Sequence, residues 1–275
     1  MQFFSSSIAR TTKLFLKLED FFWKEYEPLN GVPLQLRKLK MSKCSFILLL
    51  SLECKRCVVV GNSNAIKNTS LGNTINKYDV VIRLNNAPIR GYEEDVGNKT
   101  TIRIFYPESA SPDPGLNNEA DTLMVMVPFK SRDLRWLKEI LYDEKRVRKD
   151  FSNPPTLIWL VDSSKVRVLD PHFMHQTANK MLHIPYPPKK VCQLKRYFHP
   201  TTGLLAVFVA LNYCDVVHLA GFGYPPRKDL KQPIHYFGQH TMKAMMHSPH
   251  DIGREGQALK RLEEIGAVMY LHPHL

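Results

Sequence analysis

No stretch of this sequence runs to the ~18–20 apolar residues that a membrane-spanning helix needs. The nearest approach, Phe46 to Leu52, is only a short patch. Met1 to Lys13 lack the order of a signal peptide. There is no internal repeat and no low-complexity tract, which excludes solenoid and collagen-like architectures. Several catalytic signatures are missing as well. No GxGxxG with a later acidic residue is found, which disfavours a Rossmann oxidoreductase. Neither a P-loop nor a GxSxG elbow is present. No DxD pair closes a strand, since Asp113 and its neighbours lie in a proline-rich loop. A metal-bridged diphosphate ligand is therefore less attractive than a monophosphate that needs no metal.

What is there fits one large globular domain: 275 residues, 44% hydrophobic and 23% charged. The net charge of +12 favours a negatively charged partner: nucleic acid, an anionic membrane or a nucleotide. The basic residues fall in short clusters, such as Arg37 to Lys40 and Lys145 to Lys149, so an extended nucleic-acid surface is disfavoured. Five cysteines occur, and Cys54 and Cys57 form a CxxC pair. A zinc site needs about four ligands. No second CxxC accompanies this pair, and His235 and His240 lie far downstream. A thioredoxin-type motif opens a helix, whereas Cys57 opens a strand-like run. Structural disulfides in an oxidising compartment are the better reading. The sequons at Asn68 and Asn98 fit a lumenal chain.

Apolar runs predict strands over 57–60, 79–84, 122–127, 156–161, 215–220 and 268–271. Helices are predicted over 14–23, 132–148, 202–212 and 255–266. In the last of these, Ala258, Leu259, Leu262 and Ile265 share one face. Short strands, apolar on both faces and alternating with helices, define an α/β fold with a parallel sheet. Ligands then sit beyond the carboxyl ends of the strands. Three loops fall there, Gly61–Asn64, Asn85–Pro88 and Gly221–Tyr224, and their convergence points at one site.

Gly61-Asn62-Ser63 suits a nucleotide or a plain strand-end turn. Thr201-Thr202-Gly203 opens a helix, where threonine caps free N–H groups and the same N–H groups can hold an anion. His250 and Glu255 stand at i, i+5, just before the amphipathic helix, and His235 lies upstream. An imidazole titrates near neutrality, so it can take a hydroxyl proton or meet a phosphate. The i, i+5 spacing is not a metal motif.

These pieces resemble the sialylmotifs of animal sialyltransferases. Cys54-Lys-Arg-Cys57-Val-Val-Val-Gly-Asn62 through Tyr78-Asp-Val-Val-Ile-Arg83-Leu-Asn85-Asn-Ala-Pro88, Asp95 to Thr101 and Phe105 to Ser109 look like the large motif. His199 to Leu205 and Cys214 to Gly223 resemble the small motif. His235-Tyr236 matches the third motif, and His250 with Glu255 the very small one. The resemblance is nearest the β-galactoside α-2,3 branch. Residues 75–88 and 145–149 carry the closer match within that branch.

The resemblance implies a single Rossmann-like, mostly parallel sheet flanked by helices, a GT-A variant. Residues 1–53 would be a divergent stem remnant without a membrane anchor, and 54–275 the catalytic domain. It implies transfer of sialic acid, with inversion, from CMP-sialic acid to the 3-hydroxyl of terminal β-galactose. The alternative is a catalytically weak, anchor-less isoform that binds the CMP-sugar or partner sialyltransferases. Asn62 and Asn85 would contact CMP, and Thr201, Thr202 and Gly203 would hold the cytidine. Gly221, Phe222 and Gly223 would line the nucleotide pocket. His235 would stabilise the departing phosphate, His250 would be the base, and Cys57 would bridge to Cys214. No cofactor or metal is implied. The implied partners are the donor, galactose-terminated glycans on glycoproteins and glycolipids, and a second copy in a homodimer, with no nucleic acid. Family members are Golgi type II membrane proteins, so a chain without the anchor is expected to be soluble, secreted or mislocalised. Three features depart from the pattern: the divergent start, Ala65 in place of a nucleotide-contacting asparagine, and a third motif without its acidic residue.

Overall fold

A computed structural model of the chain describes residues 14–16, 54–148, 151, 153–183, 199–225, 230–245 and 250–273. The strands are β1 (Phe15–Leu16), β2 (Arg56–Val60), β3 (Val80–Leu84), β4 (Ile102–Phe105), β5 (Leu123–Met126), β6 (Val166–Leu169), β7 (Val216–Ala220) and β8 (Met269–Tyr270). They form one sheet in the order β1-β6-β5-β4-β3-β2-β7-β8. All neighbours are parallel except β1 and β6. The expected single, mostly parallel sheet is the one found. The α-helices are α1 (Gly72–Ile75), α2 (Glu93–Val96), α3 (Ser131–Leu141), α4 (Pro171–Gln176), α5 (Thr202–Tyr213), α6 (Met242–Met245) and α7 (Ile252–Glu264).

The central strands are buried on both faces, which explains the apolar runs Cys57–Val60 and Val80–Ile82; Arg83 is buried beside them. Helix α5 is apolar all round because it is central: Leu204 through Ala210 are buried, and it packs on β2, β3, β4 and β7. Truncating Leu205 to Ala there would cost about 2–5 kcal/mol. Helix α7 is amphipathic and buries Ala258, Leu259 and Leu262. Ile265, expected on that face, caps the helix instead and is exposed.

The chain runs outward from β2 through β3, β4, β5 and β6, then returns through α5 to the far side of β2 with β7 and β8. The reversal falls between β2 and β7. In open parallel sheets the ligand crevice lies beyond the strand ends at such a point. A disulfide joins Cys57, in β2, to Cys214, the residue that ends α5 ahead of β7. It fastens the two strands that flank the crevice.

Other expectations differ from what is found. Within the helix expected over 14–23, Phe15 and Leu16 pair instead with Leu169 and Val168 as an edge strand; residues 17–23 lie outside the described residues. The sheet therefore recruits residues upstream of position 54. The helix expected over 132–148 stops at Leu141, because Asp143 takes a left-handed backbone (φ 52°). No strand forms over 156–161. There Trp159 turns inward against Trp136 and Phe105, while Ile158 and Leu160 face solvent, 65% exposed each. Strand β4 escaped notice because its buried Arg103 leaves no more than two consecutive apolar residues in the strand, whereas β3 opens on Val80-Val81-Ile82 before its own buried Arg83. The basic cluster 37–40, the apolar patch 46–52, Cys44, Cys192 and Lys149 lie outside the described residues.

Candidate active site

At the crevice the loops leaving β2 and β7 cross. The Gly61 N–H donates to the Ala220 carbonyl (2.7 Å), and Ser63 N–H to that of Gly221 (2.8 Å). A Cβ on Gly61 would stand 2.3 Å from the Gly221 carbonyl oxygen, and one on Gly221 2.4 Å from that of Gly61. Gly221 also has φ +68°, so side chains are excluded from both positions. From behind, Gly221 N–H donates to His272 Nε2 (2.8 Å), and His272 Nδ1–H donates to the Pro273 carbonyl (2.7 Å).

The third loop follows β3. Asn85 has φ 54°, a left-handed conformation that asparagine tolerates better than most residues. Its neighbours hold it there: Ser109 Oγ donates to Asn85 Oδ1 (3.1 Å), and Arg103 Nη1 donates to the Asn85 carbonyl (2.9 Å). Arg103 also grips the carbonyls of Ala87 and Asn117. Burial lowers its pKa to about 9.

The helix start is held from α7. Thr201 caps α5, its Oγ1 accepting from Leu204 N–H (3.1 Å). Glu255, 5% exposed, accepts the Thr201 N–H on Oε1 (2.7 Å) and the Thr201 hydroxyl on Oε2 (2.6 Å). Burial raises the Glu255 pKa to about 7, against the opposing pull of those bonds. At Gly203 a Cβ would meet Phe222 at 3.4 Å and Leu84 at 3.5 Å, ordinary contacts, so packing alone does not demand glycine there.

The two histidines come from different elements. His235 is drawn in by an antiparallel bridge to Ser63: Asn64 N–H donates to the Ile234 carbonyl (3.1 Å) and Tyr236 N–H to that of Asn62 (3.0 Å). Its ring stacks on Phe237 at 5.3 Å. Burial, with His240 adding a smaller effect, lowers its pKa to about 4. His250 Nδ1 lies 2.9 Å from the His199 carbonyl oxygen. A carbonyl only accepts, so Nδ1 carries the proton and the lone pair of the neutral ring is on Nε2. Burial lowers the His250 pKa, and the bond to His199 partly restores it. The His199 ring meets His250 edge to face at 4.6 Å and lies against Phe129 at 4.4 Å. Burial first, then His250, lowers its pKa to about 4.

A cleft of about 1050 Å³ joins these groups. Asn62, Asn85, Thr201, Thr202, Gly203, Gly221, Phe222, Gly223, His235 and His250 all line it, so every binding or catalytic residue expected from sequence comes together. Asn62 Oδ1 is buried without a hydrogen-bond partner among the described residues. An orphaned acceptor of this kind is satisfied by a ligand's N–H. Tyr106, Phe129, Lys130 and His199 also line the cleft, with no role assigned from sequence. Tyr224 was named only as a loop end; burial, then Glu255, pushes its pKa up to about 12. His199 had one usable signal, its place two residues before the capping threonine. The zinc reading fails at its first ligand: Cys57 is consumed by the disulfide to Cys214, and Cys54 is disulfide-bonded too. Among the described residues no three His, Cys, Asp or Glu cluster to hold a metal.

This is a nucleotide-type crevice with a histidine beside a helix start, on a sheet whose strand order reverses at that point. Residues 9–267 match glycosyltransferase family 29 (sialyltransferase), and the chain belongs to that family. It is 50% identical to the Rattus norvegicus CMP-N-acetylneuraminate-beta-galactosamide-alpha-2,3-sialyltransferase 4, over 96% of this chain and 80% of that one. The Homo sapiens protein of the same name is 49% identical over the same shares. Among solved structures, a mammalian sialyltransferase in complex with Gal-beta-1-3GalNAc-ortho-nitrophenol superposes with a TM-score of 0.63 at 28% identity. That match covers 80% of this chain and 70% of the other. The closer match carried by residues 75–88 and 145–149 was to the type 4 member, which these relatives bear out. The weak-isoform alternative is not favoured.

Proposed function

We propose that this chain is an inverting β-galactoside α-2,3-sialyltransferase. It moves sialic acid from CMP-sialic acid to the 3-hydroxyl of terminal β-galactose on glycoproteins or glycolipids. The observation that carries the reading is the His250 tautomer, held by the His199 carbonyl in the cleft that contains the Thr201–Gly203 helix start. With its lone pair on Nε2, His250 takes the proton of the galactose hydroxyl as that oxygen attacks the anomeric carbon and the bond to CMP breaks. General-base help of this kind contributes roughly 10²–10⁴-fold. The donor is β-linked and the product α-linked, so a single displacement suffices.

Asn62 offers its orphaned oxygen to the donor, while the helix start of α5 suits an anionic nucleotide. His235 enters as a neutral ring. The leaving phosphate raises its proton affinity, so it donates a hydrogen bond as charge develops there. No metal step is included in this reading, because the imidazole and backbone donors supply the compensation. Residence in the Golgi lumen, in the manner of a type II membrane protein, belongs to the same reading and is supported by the disulfide. No helix among the described residues is long and apolar enough to cross a membrane. A homodimer also belongs to it, with exposed Ile158 and Leu160 as apolar surface, and sedimentation tests it.

The test of the activity is transfer from CMP-sialic acid to a panel of galactosides, with linkage analysis. Wild type should give α-2,3 product. His250→Ala should lose at least 10²-fold in turnover while CMP affinity stays within a few-fold. Near-normal turnover in the variant would refute the base assignment.

A further inference from the structure

Two bonded contacts tie residues 199–201 to residues 250–255. His250 Nδ1–H donates to the His199 carbonyl, and both carboxylate oxygens of Glu255 accept from Thr201. Only rigid Pro200 separates the two anchor residues. The Thr201 hydroxyl donates to Glu255 while its oxygen accepts from Leu204 N–H. A hydroxyl has one proton and two acceptor lone pairs, so it serves both partners, and an ionised carboxylate takes both Thr201 donors with no proton of its own to place. We infer that Glu255 is a positioning residue: by gripping both donors of Thr201 it fixes the start of α5 and, through the His199 carbonyl, the orientation of His250. This rests on reading the cleft as a CMP-sugar site. It adds a named duty for a side chain whose two carboxylate oxygens both accept from Thr201.

The grip is therefore sensitive to protonation. Three groups face the carboxyl group: Thr201, Tyr224 from the loop after β7, and Asp251 on its own segment, which is ion-paired to Arg254 (3.3 Å). Burial is the largest cause of its raised pKa, near 7. The folded value lies above the reference of 4.5, so protonation favours the fold. That contribution is complete below the reference value and is lost as pH rises through about 7. The ionised carboxylate is therefore a stability cost at neutral pH, held in place by what it positions.

The experiment is the pH profile of transfer, with melting curves, for wild type, Glu255→Gln and Thr201→Val. In Glu255→Gln the amide nitrogen cannot accept the hydroxyl, so the plateau of kcat/KM should fall about tenfold or more, the loss expected for a hydrogen bond to a charged group. Its acid limb should move to lower pH, because Gln does not titrate. Its melting temperature relative to wild type should be more favourable at pH 8 than at pH 5.5. In Thr201→Val the carboxylate loses one donor, so the acid limb should move to higher pH. Should Glu255→Gln not fold, the Thr201→Val shift carries the test alone. Unmoved acid limbs with an active wild type overturn the inference and leave the functional reading intact. Absence of both CMP binding and transfer in wild type overturns the two together.

Discussion

Breaking the Cys57–Cys214 bridge perturbs the element that fastens the crevice strands together. The cysteines are 157 residues apart in sequence. In the chain-entropy account, a loop of that length restricts the unfolded chain by about 5 kcal/mol. With roughly 2.1 cal/mol/K of unfolding entropy per residue, that corresponds to a melting shift of about 9 °C for a chain of this size. The variant to use is Cys57→Ala with Cys214→Ala, which avoids burying hydroxyl groups at Cys57, fully enclosed in the core. Guanidinium unfolding should show a lower midpoint, and residual transfer should fall because β2 and β7 carry the two crossing glycines. Dithiothreitol should act slowly on the native protein and quickly once denaturant opens it. A stability change below about 1 kcal/mol would refute the loop-closure reasoning. Full transfer activity in the double variant would refute the claim that the bridge holds the crevice.

Glycine substitutions should separate packing from ligand space. Gly61→Ala drives a methyl group into the Gly221 carbonyl and should destabilise by about 1–3 kcal/mol or more, read by thermal melting. Gly203→Ala meets only ordinary contacts and should gain up to about 1 kcal/mol of helix stability. If the helix start cradles the donor, the same variant should raise the KM for CMP-sialic acid; an unchanged KM would remove Gly203 from the site. Treatment with EDTA should leave the transfer rate unchanged, and strong inhibition reversed by a divalent ion would contradict the metal-free reading.

Much of the site was legible because its residues sit where strands end. Cys57 to Val60 announces a buried strand by an unbroken apolar run, Val216 to Ala220 by a run interrupted only at His218, and glycine marks the end of each. What stayed hidden depends on contacts between distant segments. Arg103 reads as a surface charge until four acceptors, three backbone carbonyls and one side-chain oxygen, are counted around it. Nothing local says that Glu255 reaches across to Thr201, or that His199 lends its carbonyl to His250. The 156–161 run misleads for a different reason. Its apolar residues suit a strand, yet Trp159 goes inward while Leu157, Ile158 and Leu160 are exposed, and Leu160 N–H is taken by the Pro112 carbonyl rather than a ladder.

The brace from His272 onto Gly221 has a consequence for biosynthesis. The crevice opens early in the chain, at Gly61, yet its last support arrives more than two hundred residues later. A nascent polypeptide emerging from the ribosome therefore has no finished nucleotide seat until the segment carrying His250, Glu255 and His272 has followed it out. Ligand capture is thereby coupled to the emergence of that segment, so shorter nascent chains lack the stabilisation that a bound nucleotide confers.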